Sequence, residues 1–129
     1  MSKDDKKVIS IEQIIDNPIR VLDIPGLGLI KIKDPTIGDR LEATKEAQKN
    51  PNWKNMDERE RGAEVIKLTS LLMLVEPKIS FKEYYKANDL TMITVLDTIA
   101  MDYGKRIKKL TDKRKRVVDS FLEEMKKEN

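Results

Sequence analysis

The sequence predicts a mostly α protein: a helical domain with one N-terminal β-hairpin and a long, charged C-terminal helix. Three observations predict it. Capping-box spacing recurs at Ser10–Gln13, Thr36–Asp39, Asp57–Glu60 and Ser80–Glu83, each ahead of a helix-length segment. Strand-like alternation of apolar and polar residues centres on a single place, around "PGLGLIKIK" at 25–33. The last third of the chain carries apolar residues at helical spacing among dense charges.

With 129 residues, the chain has the length of one domain. Residues 1–9 are polar and charged and read as a flexible N-terminus; 10–104 read as the helical domain, its hairpin at about 20–33. Residues 105–129 read as a basic amphipathic C-terminal helix.

Ser10 caps a short helix from Ile11, which "DNP" stops at Asn17–Pro18. "RVLDI" sets Val21 and Asp23 on one face and Leu22 and Ile24 on the other. In "LIKIK", Ile30 and Ile32 alternate with Lys31 and Lys33. The proline and two glycines between these runs suit a hairpin turn. Leu27 and Leu29 then stand at an exposed tip, and Lys31 and Lys33 guard an edge strand. Thr36 opens the next helix, with Ile37, Leu41, Thr44 and Ala47 at helical spacing, until Asn50–Pro51 breaks it. Trp53, in the following link, is read as an anchor for that loop. The segment "RGAEVIKLTSLLMLV", with Ala63, Ile66, Thr69–Ser70 and Met73 along one broad face that Leu68, Leu71, Leu72 and Val75 widen, is the expected central helix, ending at Glu76–Pro77. A short helix follows Ser80, and a longer one carries Leu90, Ile93, Leu96, Ile99 and Tyr103. Gly104 either ends that helix or lies inside a longer one.

Composition narrows the chemistry. No cysteine means no disulfide, thiolate nucleophile or cysteine metal site. No histidine removes the commonest general base and transition-metal ligand. The "GLG" step leads into a strand, so no helix N-terminus is aimed at it as a phosphate cradle. Acidic pairs such as Asp57–Glu58, Glu60–Glu64 and Asp97–Asp102 read as solvated or helix-start carboxylates rather than an acid and a base. The chain is expected to be non-enzymatic, without cofactor or metal, and cytoplasmic: no signal sequence or membrane-spanning run is visible.

The net charge of +3 is unevenly placed. Residues 1–103 hold 16 basic and 18 acidic side chains; residues 104–129 hold 10 and 5. Lys105, Arg106, Lys108, Lys109, Lys113, Arg114, Lys115 and Arg116 form the basic patch. It reads either as a solvated helix or as a surface for phosphates or an acidic partner. No aromatic residue lies between Tyr103 and Phe121, which argues against base stacking. Ile107, Leu110, Val117, Phe121, Leu122 and Met125 make an apolar stripe that Arg114 interrupts. Three occupants fit it: the chain's own core, a second copy in a homo-oligomer, or a partner helix.

Taken in order, "IPGLGLIKIKDPTIGDRLEA", a polar loop, a helix ending in "EPKIS" and a last helix through "LDTIAMDYGKRIKKL" resemble one family. This is similar to the tail assembly chaperones of tailed phages and prophages, in the contractile-tail branch. A hairpin leads into a helix entered through T-x-x-[DE], here Thr36 and Asp39, and the central helix ends in an acidic-Pro step, here Glu76–Pro77. The likeness covers roughly residues 10–110 and rests on caps and turns. It implies a non-enzymatic chaperone in virion assembly that binds the tape-measure protein and helps recruit tail-tube protein around it. The basic extension after Gly104 departs from the family pattern and leaves open which segment meets the partner. The alternative is a nucleic-acid-associated protein using the basic helix. A membrane is not an expected partner.

Overall fold

The computed structural model describes residues 7–128, apart from the side chain of Glu128. Of the flexible N-terminus expected over 1–9, residues 1–6 lie outside the described residues; 7–9 have no regular structure and are exposed. Asn129 also lies outside them.

The elements run α1 (Ile11–Ile15), β1 (Arg20–Ile24), β2 (Gly28–Ile32), α2 (Ile37–Ala47), a 3-10 turn at Trp53–Asn55, α3 (Glu58–Met73), β3 (Leu74–Glu76), α4 (Phe81–Lys86) and α5 (Asp89–Glu128). The protein is mostly α, with an antiparallel sheet and a long C-terminal helix. All four expected capping boxes form, at α1, α2, α3 and α4. In each, the Ser, Thr or Asp side chain accepts from the backbone N–H three residues on, and the Gln, Asp or Glu there accepts from the cap N–H. Two otherwise unpartnered N–H groups are satisfied at every start.

The hairpin closes through Pro25, Gly26 and Leu27, where the Leu27 N–H donates to the Ile24 carbonyl at 2.9 Å. Gly26, at φ 78°, supplies the positive φ a type II turn needs after proline. Gly28, at φ 131°, begins β2 opposite Ile24, so it belongs to the strand and not to the link. Arg20 pairs with Ile32 at the other end.

The sheet has a third strand that the sequence reading assigned to the central helix. Leu74 leaves α3 with extended backbone, and Leu74–Glu76 pair antiparallel with β2. Pro77 clashes with a helical Glu76 and pushes it extended. The exposed backbone of β2 supplies the hydrogen bonds that helix extension would have made; the Lys33 N–H donates to the Met73 carbonyl at 3.0 Å. The strand order β1-β2-β3 makes β2 central, so Lys31 and Lys33 guard no edge. They pair instead with Glu76 at 3.1 Å and Asp39 at 3.4 Å.

The inner face of the sheet carries Ile24, Ile30 and Ile32. These pack against Leu71, Met73 and Leu74 and against Met92, Leu96 and Ile99 of α5. A smaller cluster joins Ala43 and Ala47 of α2 to Leu68 of α3, with Trp53 against it. Alanine at the contact lets the two helix backbones approach closely. Trp53 anchors its loop, and the Arg61 guanidinium lies 5.1 Å from its ring centre. Helical spacing alone misplaces part of one apolar face, that of α2. Ile37 and Leu41 are 83% and 65% exposed, because Ala43, Glu46 and Ala47 face α3 instead. In α3, Leu68, Ser70, Leu71 and Met73 of the expected broad face are buried, and only its N-terminal members Ala63 and Ile66 are exposed. The Glu46 carboxylate tolerates burial because the Tyr85 hydroxyl donates to it at 3.2 Å and Lys49 pairs with it at 3.1 Å.

Candidate functional site

Helix α5 is continuous through Gly104, so no break in secondary structure separates 105–128 from the domain before it. Its first half is part of the core; its second half is not. Every described side chain from Ile107 to Lys127 is exposed. At 1.5 Å per residue the free part is roughly 30 Å long.

The boundary is set by an ionic hub at Asp34, the residue that follows Lys33. The Asp34 carboxylate receives both terminal nitrogens of Arg106, one of them at 2.9 Å, and an N–H of Arg20 at 3.3 Å. Arg20 also donates to Asp102 at 3.1 Å. Asn17 closes on the Asp34 backbone from below, accepting its N–H and donating to its carbonyl, both at 2.8 Å. The paired Arg106 holds the Asp34 carboxyl below the ordinary carboxylate value and raises its own guanidinium in return. This hub ties α5 to the open end of the hairpin at the last point where the helix touches the domain.

Arg106 is therefore a structural strut and leaves the expected basic patch. The remaining members, Lys105, Lys108, Lys109, Lys113, Arg114, Lys115 and Arg116, are exposed. At 100° per residue six of them share one arc of about 160°, and Arg114 alone stands opposite, among the apolar residues.

The apolar stripe is where the sequence reading put it. Ile107, Leu110, Val117, Phe121, Leu122 and Met125 are 47–66% exposed. Val118, at 54%, joins them; the sequence reading left it out, although its helical spacing places it beside Leu122. Together these residues span an arc of about 140° at 100° per residue, with Arg114 close to its middle. Packing on the chain's own core is excluded for the described residues of the stripe. Where the stripe meets the domain, an open groove of about 460 Å³ is lined by Tyr103, Ile107, Leu110, Lys109, Arg114 and the Asp34–Arg106 pair.

Leu27 and Leu29 are exposed as expected, at 56% and 71%. They do not join the stripe. Leu29 lies on the outer face of the sheet, with Val21 and Pro77 along a shallow groove, whereas α5 packs on the inner face. Leu27 sits at the hairpin tip, and the hub lies at the hairpin's open end. The leucines and the stripe are thus separate exposed apolar surfaces, and among the described residues Ile11, Ile14 and Ile15 of α1 and Ile37 and Leu41 of α2 are exposed as well.

Arg20 and Asp34 were not singled out from sequence. Hairpin pairing carried the signal for them: Arg20 opposite Ile32 puts residues 20 and 34 at the same end. The acidic pairs have local duties. Asp57 and Glu60 form the α3 cap, and Asp102 binds Arg20. Among the described residues, no cluster of acidic side chains is arranged to hold a metal ion, and no helix is long and apolar enough to cross a membrane. Comparison with protein-family models, with curated proteins and with solved structures finds no match.

Proposed function

We propose that this protein is a non-enzymatic, cytoplasmic assembly chaperone whose free α5 helix holds an apolar helical partner in solution. The observation that carries the reading is the exposed stripe from Ile107 to Met125 on a helix anchored only at its other half. An apolar arc of this width, broken only by Thr111 and Arg114, on an unpacked helix has no use inside the domain, and helix-in-groove or helix-on-helix docking is what such a surface fits. The likeness of residues 10–110 to phage tail assembly chaperones supplies the partner class: the long helical tape-measure protein, with tail-tube protein recruited to the complex.

The reading expects a very long helical protein to be encoded beside this chain; the test is co-expression of the full chain with a tape-measure protein of that kind, followed by capture and measurement of the partner's soluble fraction. Wild type is expected to keep the partner soluble. Phe121→Asp, on a side chain outside the core, is expected to lose capture by at least about tenfold, equivalent to 1.4 kcal/mol, without loss of fold. Undiminished capture by this variant sinks the reading.

A second reading rests on the seven exposed cations in residues 105–116: binding to nucleic-acid phosphates. It predicts an affinity that falls steeply with salt, whereas an apolar interface changes little.

A further inference from the structure

We infer that the occupant of the α5 stripe is an acidic amphipathic helix, with a carboxylate placed to meet Arg114. The inference rests on the stripe being a docking surface and adds the chemistry of what docks. The apolar arc is flanked by Lys108 and Lys115 on one side and by Lys113 with a single carboxylate, Glu124, on the other, and Arg114 stands within it. Among the described residues, no carboxylate lies within ion-pair distance of any of these four cations.

A guanidinium in the middle of an apolar interface is costly unless something answers it. A partner helix with acidic flanks and one inward carboxylate answers all four cations. It can engage Arg114 with two parallel hydrogen bonds. The groove beside Asp34 marks one end of the surface: Asp34 is already neutralised by Arg106, which leaves Lys109 and Arg114 as the groove's unanswered charges.

Other occupants fit less well. A second copy brings the same basic flanks and the same arginine. Its Asp112, Asp119 and Glu123 lie on the back of the helix, about 130° or more from the middle of the stripe, and Glu124, at the stripe's edge, is one carboxylate against four cations. A bilayer surface would draw the flanking lysines but would have to bury Arg114 at the apolar boundary, and the stripe holds a single aromatic residue and no tryptophan. Nucleic acid answers the cations and leaves the apolar arc wet.

The experiment uses the full chain and two labelled synthetic peptides of about three heptads. Both carry a leucine stripe. One has glutamate flanks and a central glutamate in the stripe; its twin has lysine at the same positions. Binding is followed by fluorescence anisotropy at physiological salt. Wild type is expected to prefer the glutamate peptide by at least about tenfold. Arg114→Glu is expected to lose that preference, while Arg114→Lys keeps part of it. Circular dichroism checks that each variant retains its helix. Equal affinity for the two peptides, or an unchanged preference in Arg114→Glu, overturns the inference. So does tight binding of phosphatidylserine vesicles or duplex oligonucleotide with no binding of the glutamate peptide. A dimer in sedimentation that the glutamate peptide fails to dissociate overturns it as well. Phe121→Asp separates the two levels. If both peptides bind equally and this variant loses both, the stripe remains a docking surface and only its acidic preference falls. If this variant binds like wild type, the docking surface itself falls.

Discussion

The two halves of α5 have the same secondary structure and opposite surroundings. From Met92 to Ile99 the helix contributes Met92, Leu96 and Ile99 to the core, all 8% exposed or less. From Ile107 on, its apolar residues are about half exposed. The difference shows that apolar periodicity specifies a face and not a neighbour. The first face meets the sheet because the hairpin and β3 are held beside it. The second has nothing from the described chain to meet. Helical order beyond Arg106 follows from the first half: the packed turns supply the nucleus, and extension then costs little per residue.

The sharpest test of this contrast is a pair of truncations. Leu71→Ala, at a side chain 1% exposed, is expected to cost about 2–5 kcal/mol through lost burial and the cavity left behind. Phe121→Ala is expected to stay within about 0.5 kcal/mol, as for other exposed sites. Urea unfolding midpoints read both. Comparable losses would mean that the tail is packed in solution and that the two halves do not differ.

Local signals in the sequence identified the helix starts and the hairpin, because a cap or turn is written within four residues. They identified the outer stripe of α5 for the same reason, but its core face only in part: Leu96 and Ile99 are buried as expected, whereas Leu90 and Ile93 are exposed and Met92, which spacing did not single out, is buried. They missed β3: Pro77 marks locally that Glu76 leaves the helix, but the strand itself needs the unfilled hydrogen bonds of β2, and β2 is some forty residues away. They misassigned α2, where Ile37 and Leu41 are the more apolar choice but the alanines fit against α3. They grouped Arg106 with seven free cations because its partner, Asp34, is 72 residues distant in sequence. Of the candidate site, the stripe was legible; its boundary was not, because long-range charge pairing sets it.

That boundary can be weakened by itself. Asp34→Asn keeps the shape and removes the charge that Arg106 and Arg20 share. Hydrogen bonds to a charged group contribute about 1.5–3 kcal/mol when sheltered. These side chains are 29–39% exposed, so solvent screening reduces the expected loss to about 1–2 kcal/mol. The effect depends on pH in a fixed direction. The folded carboxyl titrates below its ordinary value of 3.8, so the unfolded chain binds the proton more readily. Its stabilisation is complete above about pH 5 and is lost as pH falls through 3.8 and then through the lower folded value. Glu83 is also held low, by hydrogen bonds from Ser80, so the informative quantity is the difference between wild type and Asp34→Asn across pH 2–6. The gap should close at the acid end. A constant gap would assign the loss to packing and remove the hub as an electrostatic clasp.

The smallest expected effect lies where the two halves of the helix join. Gly104 is exposed, and a Cβ built there meets no atom within 4 Å. Alanine is therefore free to improve helix propensity by about 1 kcal/mol without disturbing the core. That gain acts on the tail, because Gly104 precedes the last anchor, Arg106, by less than one turn and all further turns propagate through it. Amide exchange should slow across residues 107–127 in Gly104→Ala, while the slowest core amides, in α3 and β2, change by much less. If the core amides slow as much as the tail amides, α5 melts as one unit with the domain, and the free helix is held by the fold rather than only begun by it.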